Sequence, residues 1–460
     1  MTAIITDSLR RRIAETFLDE INDGNDSNEY YIGIGKSDQY DELDTLIDPV
    51  QTRQEEREAR NNLQSVKKVS AASFVVPRYN WTSGSIYSGY NDAVSGIPQN
   101  TYYVLTESNE VYICIQQGRN AAGTPNSSTV KPSFTDAGVS SFQPFETADG
   151  YRWKFMYSLS ATDAADFLSA NFIPAQRVIW NEPGDSASLS AFELQQLEVQ
   201  RQAIAGQILG IVVTSPGQSY SSSPTITFYG NGTGAQATAS IAGGQIVKIE
   251  MNNESAAMGS GYDYASVEIT GGGGAGATAR PILAPNLGLG ADALEDLKAS
   301  SIMLNTKPNG NEGGTFITTN DFRQITVMRN LEIFDSNADS NIRFTTNSGK
   351  ALRFLRMSTP ASTFSVDTLI RGQASEAAGY IDDIDDDLIF YHQNENTGFK
   401  TFINGESITE SDGSGTGTID SADLHSIVDP HTGEVLYIEN RARIVRSEDQ
   451  QEDIKVIITV

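Results

Sequence analysis

Two stretches of this chain repeat themselves, and each repeat fixes where a small core must form. Phe364, Ile370, Gly379 and Ile381 recur at one constant offset as Phe402, Ile408, Gly417 and Ile419. Earlier, Gly206-Gln207-Ile208 recurs as Gly244-Gln245-Ile246, and Ala237-Thr238-Ala239 as Ala277-Thr278-Ala279, with Tyr220 and Tyr262 at matching places. Internal self-similarity marks a supersecondary unit used more than once. The repeated apolar residues fall in short runs joined by glycine-rich turns, so both stretches read as tandem β modules. Their bounds are 206–283 and 362–421. They read as inserts in a discontinuous body made of 1–205, 284–361 and 422–460.

The fold class that follows is mainly β: a β-sandwich-type body with a few short helices on its loops, plus the two inserted modules. Forty glycines and short alternating runs support it. The clearest helix opens at Asp7 or Ser8, with Leu9, Ile13 and Phe17 on one apolar stripe. Others are expected at 52–69, 161–170, 191–203 and 291–303. The chain ends on two hydrophobic strands, 435–438 and 454–460, around a charged turn. A terminal strand must be tied into a sheet or it frays, so 422–460 is expected to return to strands laid down before residue 205.

Charge narrows the function. The chain carries 32 Lys+Arg against 59 Asp+Glu, a net charge of -27, which repels a phosphate backbone and argues against nucleic-acid partners. No apolar run reaches the length of a membrane helix. The N-terminus lacks the order of a signal peptide, so synthesis and folding in a cytoplasm are expected. The single cysteine, Cys114, sits in a strand-like run and reads as an inert core thiol.

Constellations that carry chemistry are thin. The acidic run from Asp382 to Asp387 lacks the pattern of a calcium loop and reads as a solvated turn between strands. His425 and His431, flanked by Asp423 and Asp429, have no third strong ligand for zinc nearby. The glycine run 271–276 has neither a following helix nor a lysine to cradle phosphate. No nucleophile elbow is present. No catalytic, metal or cofactor site is therefore assigned. Aromatic and arginine clusters remain: Arg78, Trp81, Tyr87 and Tyr90 have the composition of an interface hot spot, or of a core with loop anchors.

The chain resembles one family on several motifs that keep one order. These are Tyr31-Ile32-Gly33-Ile34-Gly35-Lys36-Ser37; Val75, Pro77, Arg78, Trp81 and Tyr87; Glu110-Val111-Tyr112-Ile113-Cys114; and Asp149-Gly150-Tyr151-Arg152-Trp153. Phe322-Arg323-Gln324-Ile325 follows, then the C-terminal run from Gly433 through Tyr437, Asn440 and Arg441 to the final Ile-rich strand. In these it resembles the baseplate wedge subunits of T-even-type contractile-tailed phages, the gene product eight family. The departures are the two repeat-bearing inserts, whose role the resemblance does not carry over. It implies a structural virion protein without cofactor or catalysis, assembled in the host bacterial cytoplasm and placed in the tail baseplate. It also implies a homodimer, contacts to other wedge proteins, and a part in the rearrangement that triggers sheath contraction. Interface candidates on the matched motifs are Arg78, Trp81, Tyr87, Tyr90, Tyr151, Trp153, Tyr437, Asn440 and Arg441. The alternative is a tail-associated glycan-binding adhesin using the inserted modules, and an enzyme such as a depolymerase ranks behind both.

Overall fold

The structure is a computed structural model that describes residues 4–22, 28–94, 101–135, 142–178, 189–252, 257–334, 342–411, 413–447 and 449–460. It is mainly β, with short helices between strands. Two compact units divide the chain: Met1–Leu18, Ser73–Met303 and Ile457–Val460 form one, and Asp19–Ala72 with Leu304–Val456 form the other. The stretches assigned to a single body in the sequence are thus shared between two units.

In the first unit, an antiparallel sheet runs in the order Tyr103–Leu105, Glu110–Gln116, Arg152–Ser158, Phe145–Glu146. Its core is aromatic: Tyr87, Tyr112, Tyr151, Trp153 and Phe155 are all buried together. Another sheet, not confined to the first unit, places the C-terminal strand Ile454–Thr459 at one edge, beside Ser301–Thr306, then Ala71–Pro77 and Phe172–Ala175. The terminal strand therefore returns to a strand near residue 300, while the strand Glu434–Ile444 belongs to a different sheet. The charged turn between them joins two sheets and not one hairpin.

The repeat module lies within the first unit, and among the described residues its strands between Ile208 and Leu283 pair only with one another. The first strand of each copy pairs with the last strand of the other: Ile208–Gln218 with Ala275–Leu283, and Gln245–Met251 with Ala237–Ala242. The middle strands, Thr225–Gly230 and Ala265–Thr270, pair across the pseudo-twofold axis. Tyr220 N donates to Gly244 O at 3.0 Å, and Tyr262 N donates to Gly206 O at 3.1 Å, which is the same bond made twice. Both tyrosines are buried against glycines of the opposite copy. A Cβ on Gly274 would sit 2.5 Å from the Tyr220 ring, and one on Gly232 would sit 2.4 Å from the Tyr262 ring.

In the second unit, a five-stranded sheet runs Ser348–Lys350, Leu63–Lys68, Tyr30–Gly35, Phe322–Arg329, Glu434–Ile444. Tyr31, Leu63, Val66, Met328 and Phe344 pack on it, and the Tyr31 hydroxyl donates to Phe344 O at 2.9 Å. Next in sequence is a closed six-stranded barrel, ordered Arg353–Met357, Leu388–His392, Ala378–Asp385, Leu369–Gly372, Ser407–Glu410, Thr416–His425. The recurring Phe364, Ile370, Ile381, Phe402, Ile408 and Ile419 are its core. Each half contributes three strands, and exchanging the halves leaves the strand order unchanged. The barrel begins at Arg353, ahead of the expected 362, because the first strand of each half carries none of the repeated residues.

Several local expectations shift. The helix expected over 52–69 is Arg53–Asn61, capped by Thr52, whose side chain accepts from Glu55 N; Leu63–Lys68 is a strand whose first four residues are buried. The helix expected over 291–303 is only Ala293–Asp296, and Lys298 at φ 56 turns the chain into the strand Ser301–Thr306. The N-terminal helix is Asp7–Asn22, with Thr6 bonding Leu9 N. Its Leu9 and Ile13 are 49% and 48% exposed, so this part of the apolar stripe lies open. The other helices, Ala161–Phe167 and Ala191–Arg201, both start on capping boxes, Ser160 with Asp163 and Ser190 with Glu193.

Candidate interface site

The sequence-predicted residues separate into two groups. Tyr87, Tyr90, Tyr151 and Trp153 are buried in the first unit, at 3%, 7%, 0% and 0% exposure. The Tyr151 ring stacks on Trp153 at 5.7 Å, and its hydroxyl donates to Asn126 O at 2.6 Å. The Tyr87 ring meets Trp153 edge-on at 5.6 Å. These four side chains are occupied by packing inside the unit and offer no surface to a partner. Trp81 is half-buried and donates from Nε1 to Ser128 Oγ at 3.1 Å. Arg78, also half-buried, reaches Ser169 O at 2.8 Å and Asn80 Oδ1 at 2.9 Å.

Tyr437, Asn440 and Arg441 lie on the strand Glu434–Ile444, which is the edge of the five-stranded sheet. It pairs inward with Phe322–Arg329, Asn440 facing Gln324 and Ile438 facing Thr326. The Arg441 N–H points outward, since it donates to the Tyr40 hydroxyl at 3.0 Å. Main-chain direction alternates along a strand, so the N–H and C=O groups of Tyr437 and Glu439 also point outward. No main-chain partner faces them among the described residues. Their side chains are tied in a row: the Tyr437 hydroxyl donates to Glu439 Oε2 at 3.0 Å, and Arg441 Nε lies 2.8 Å from Glu439 Oε1. Burial and Glu439 push the Tyr437 hydroxyl up to about 12, so it stays a donor at any physiological pH.

Beside this edge runs the segment 41–52, which opens on a turn at 41–44 and continues without regular structure. Arg323 holds both Asp44 oxygens at 2.9 Å, and Asn440 Nδ2 donates to Ile47 O at 2.9 Å. The segment leaves its apolar side chains outside: Leu43 is 86% exposed and Val50 58%, with Leu46 and Ile47 half-exposed. Between Pro49–Glu56 and Val435–Ile438 lies an open groove of about 570 Å³. A bare edge bordered by open aliphatic residues is what soluble chains normally avoid.

The acidic run is the clearest correction. The strand Ala378–Asp385 carries Asp382 and Asp383 into the interior, at 0% and 9% exposure. Only Asp386 and Asp387 form the turn. Asp382 Oδ1 accepts from Ser37 Oγ at 3.1 Å, Gln64 Nε2 at 2.9 Å and Asn320 Nδ2 at 3.1 Å. Its Oδ2 lies 2.7 Å from His392 Nδ1. Asp383 takes Lys350 Nζ at 2.5 Å and Thr319 Oγ1 at 2.8 Å. His392, passed over in the sequence because no other histidine stands near it, is the one buried deepest. The only signal for it was its place in an apolar strand. His425, by contrast, stacks flat on Phe334 at 3.6 Å. Burial lowers the pKa values of both His425 and His431.

Among the described residues no group of three His, Cys, Asp or Glu side chains is arranged to hold a metal, and no helix is long and apolar enough to cross a membrane. Cys114 is buried, and burial pushes its thiol far up. No protein-family model matches the chain and no curated protein matches it.

Proposed function

We propose that this protein is an assembly subunit whose work is done by interfaces, of the kind that builds baseplate wedges in contractile phage tails. The observation that carries the reading is the bare outer edge of Glu434–Ile444, flanked by the exposed Leu43, Leu46, Ile47, Val50 and Leu436. The sequence resemblance supplies the placement in a baseplate, with other wedge proteins as further partners.

A second copy of the chain fits the edge. Antiparallel pairing centred on Ile438 sets Tyr437 of one copy opposite Glu439 of the other, twice. All four outward N–H groups of those residues then find acceptors. Arg441, already satisfied by Tyr40, lies beyond the paired stretch. The pairing joins two five-stranded sheets through an isologous contact. The mass of the purified chain in solution tests it: a dimer supports the reading, and a monomer at high concentration or a trimer counts against it. Cross-links from residues 41–52 to other tail proteins in intact particles would test the placement.

One observation favours a second reading. A cleft of about 370 Å³ in the first unit borders the repeat module and is lined by Gln116, Arg119, Lys248 and Glu250 among aliphatic residues. Its size and mix of polar and apolar lining suit a small ligand such as one sugar of a glycan. Glycan-array binding by the full chain, lost on Arg119→Ala, would support that reading.

A further inference from the structure

We propose that His392 and Asp382 form a proton-operated latch that holds the segment beginning at Lys36, and so governs how firmly the apolar strip at 43–50 is held. The latch stands on its own geometry. Its bearing on docking rests on the assembly reading above.

Asp382 has four polar neighbours and no exposure. Its Oδ1 accepts from three uncharged donors. Its Oδ2, 2.7 Å from His392 Nδ1, is an acceptor that fixes the tautomer, so Nδ1 carries a proton whether the ring is neutral or charged. Nε2 is what changes. It lies 4.0 Å from Asp38 Oδ1, and neither atom has a hydrogen-bond partner although both are buried. With a neutral ring, a lone pair on Nε2 faces a carboxylate oxygen, and two acceptors oppose each other across the gap. With a protonated ring, Nε2 becomes a donor aimed at Asp38, directly or through one water.

Asp38 is where this reaches the surface. It follows Ser37, which already bonds Asp382, and Lys36, whose N–H donates to Asn62 O at 3.0 Å with φ 59. Beyond it, Tyr40 and Asp44 tie the segment to Arg323 and the edge strand. The cluster is thus the inner anchor of the segment, and those two residues are the outer one.

Every charged group facing the ring bears on its proton. On the barrel, the adjacent strand supplies Asp382 and Tyr380, which stacks on the imidazole at 5.5 Å, and Asp383 is neutralised by Lys350. The neighbouring strand gives Arg353, and His431 lines the same small void. The segment gives Asp38 and Lys36. Farther out, Asp321 and Asp367 face Arg323 and Arg443. Burial lowers the imidazole pKa, the two aspartates raise it, Lys36 lowers it, and the balance falls above the ordinary histidine value. A raised histidine contributes stability that is complete below its unfolded value and is lost as pH climbs through its folded one. The latch closes in acid and loosens as pH rises.

Hydrogen–deuterium exchange of the full chain, normalised for the intrinsic rate, tests this between pH 6 and pH 9. Peptides covering 36–52 are expected to lose protection by about tenfold or more over that range, as losing one hydrogen bond to a charged group would give. Asp38→Asn and His392→Gln should each flatten the profile, and Asp38→Asn does so without disturbing the buried Asp382. A flat profile in the unaltered chain, or the same slope in Asp38→Asn, overturns the latch. Light scattering on the same samples separates the two readings. A pH-dependent segment on a chain that is monomeric throughout refutes the dimer and leaves the latch, and a flat profile on a stable dimer does the reverse.

Discussion

Replacing Glu439 by proline removes one main-chain N–H from the outer side of the edge strand and nothing from its inner side. Asn440 and Ile438 face Phe322–Arg329 and carry the ladder inward, whereas Glu439 faces out. Proline is tolerated on an edge strand when its missing N–H points to solvent. The monomer should therefore keep its fold, with a melting temperature within a few degrees of the unaltered chain. In the dimer centred on Ile438, each copy gives two outward N–H groups, from Tyr437 and Glu439. The substitution deletes half of them. A hydrogen bond is worth about 0.5–1.5 kcal/mol net, so two lost bonds weaken the dimer by about 1–3 kcal/mol. That is roughly five- to 150-fold in dissociation constant. Sedimentation velocity over a dilution series reads it, with circular dichroism to check the fold. Glu439→Gln keeps the N–H and should dimerise nearly as the parent does, which isolates the main chain from the Glu439–Arg441 ion pair. Ile438→Pro removes an inward ladder bond and should destabilise the monomer itself. Undiminished dimerisation of a well-folded Glu439→Pro chain would refute the edge-pairing geometry.

Other outcomes follow from the same contacts. A chain cut before Glu452 loses Ile454 and Val456, 9% and 0% exposed, each worth about 1.5–3 kcal/mol of burial, and bares the strand Ser301–Thr306. It should aggregate on expression, and a soluble dimeric product would contradict this. Gly274→Ala and Gly232→Ala push a methyl into the Tyr220 and Tyr262 rings and should each cost about 1–3 kcal/mol; unequal losses in thermal melts would deny the pseudo-symmetry. Asp367 has its pKa raised to about 6, by burial first and then by Asp321 and Asp382. Its charged form therefore disfavours the fold, and stability falls as pH rises through that value. Asp367→Asn should stabilise the protein at pH 7 by under about 1 kcal/mol, because the desolvation is partial: the residue stays accessible to solvent, which screens its repulsion. The gain should vanish below pH 4, where aspartate is protonated in both states; denaturant titrations at the two pH values measure it.

The fold class was legible because turn glycines and alternating apolar residues are local signals. The edge position of Glu434–Ile444 was not, because a strand reads the same whether one or both of its sides are paired. Tyr437, Asn440 and Arg441 were found as motif residues, yet their surface role depends on Phe322–Arg329 lying on one side only. Tyr151 and Trp153 came from the same kind of motif and proved to be core. An aromatic pair next to an arginine has the composition of a hot spot and of a buried sheet alike. The acidic run misled for a related reason. Asp is a turn former by average preference, and only tertiary donors from Ser37, Gln64, Asn320 and His392 make it affordable inside a barrel strand.

The repeats mean something other than beads on a string. In both modules the copies exchange strands, so neither copy closes a core alone. Each tyrosine of the first module rests on glycines of the other copy, and the barrel needs three strands from each half to close. The repeated glycines follow from the same geometry. A Cβ on Gly379 would sit 2.6 Å from the Tyr391 ring and one on Gly417 2.8 Å from Met357, approaches that cross from one half of the barrel to the other. What repeats in the sequence is thus the set of residues at which one half must accommodate its twin. The strands that begin each barrel half pair with each other across the same boundary, yet they carry the accommodated side chains and not the glycines, and they share no motif. A half-module expressed alone would expose the face its twin covers, so each module is the smallest unit that can fold. Any surface either one offers belongs to the pair.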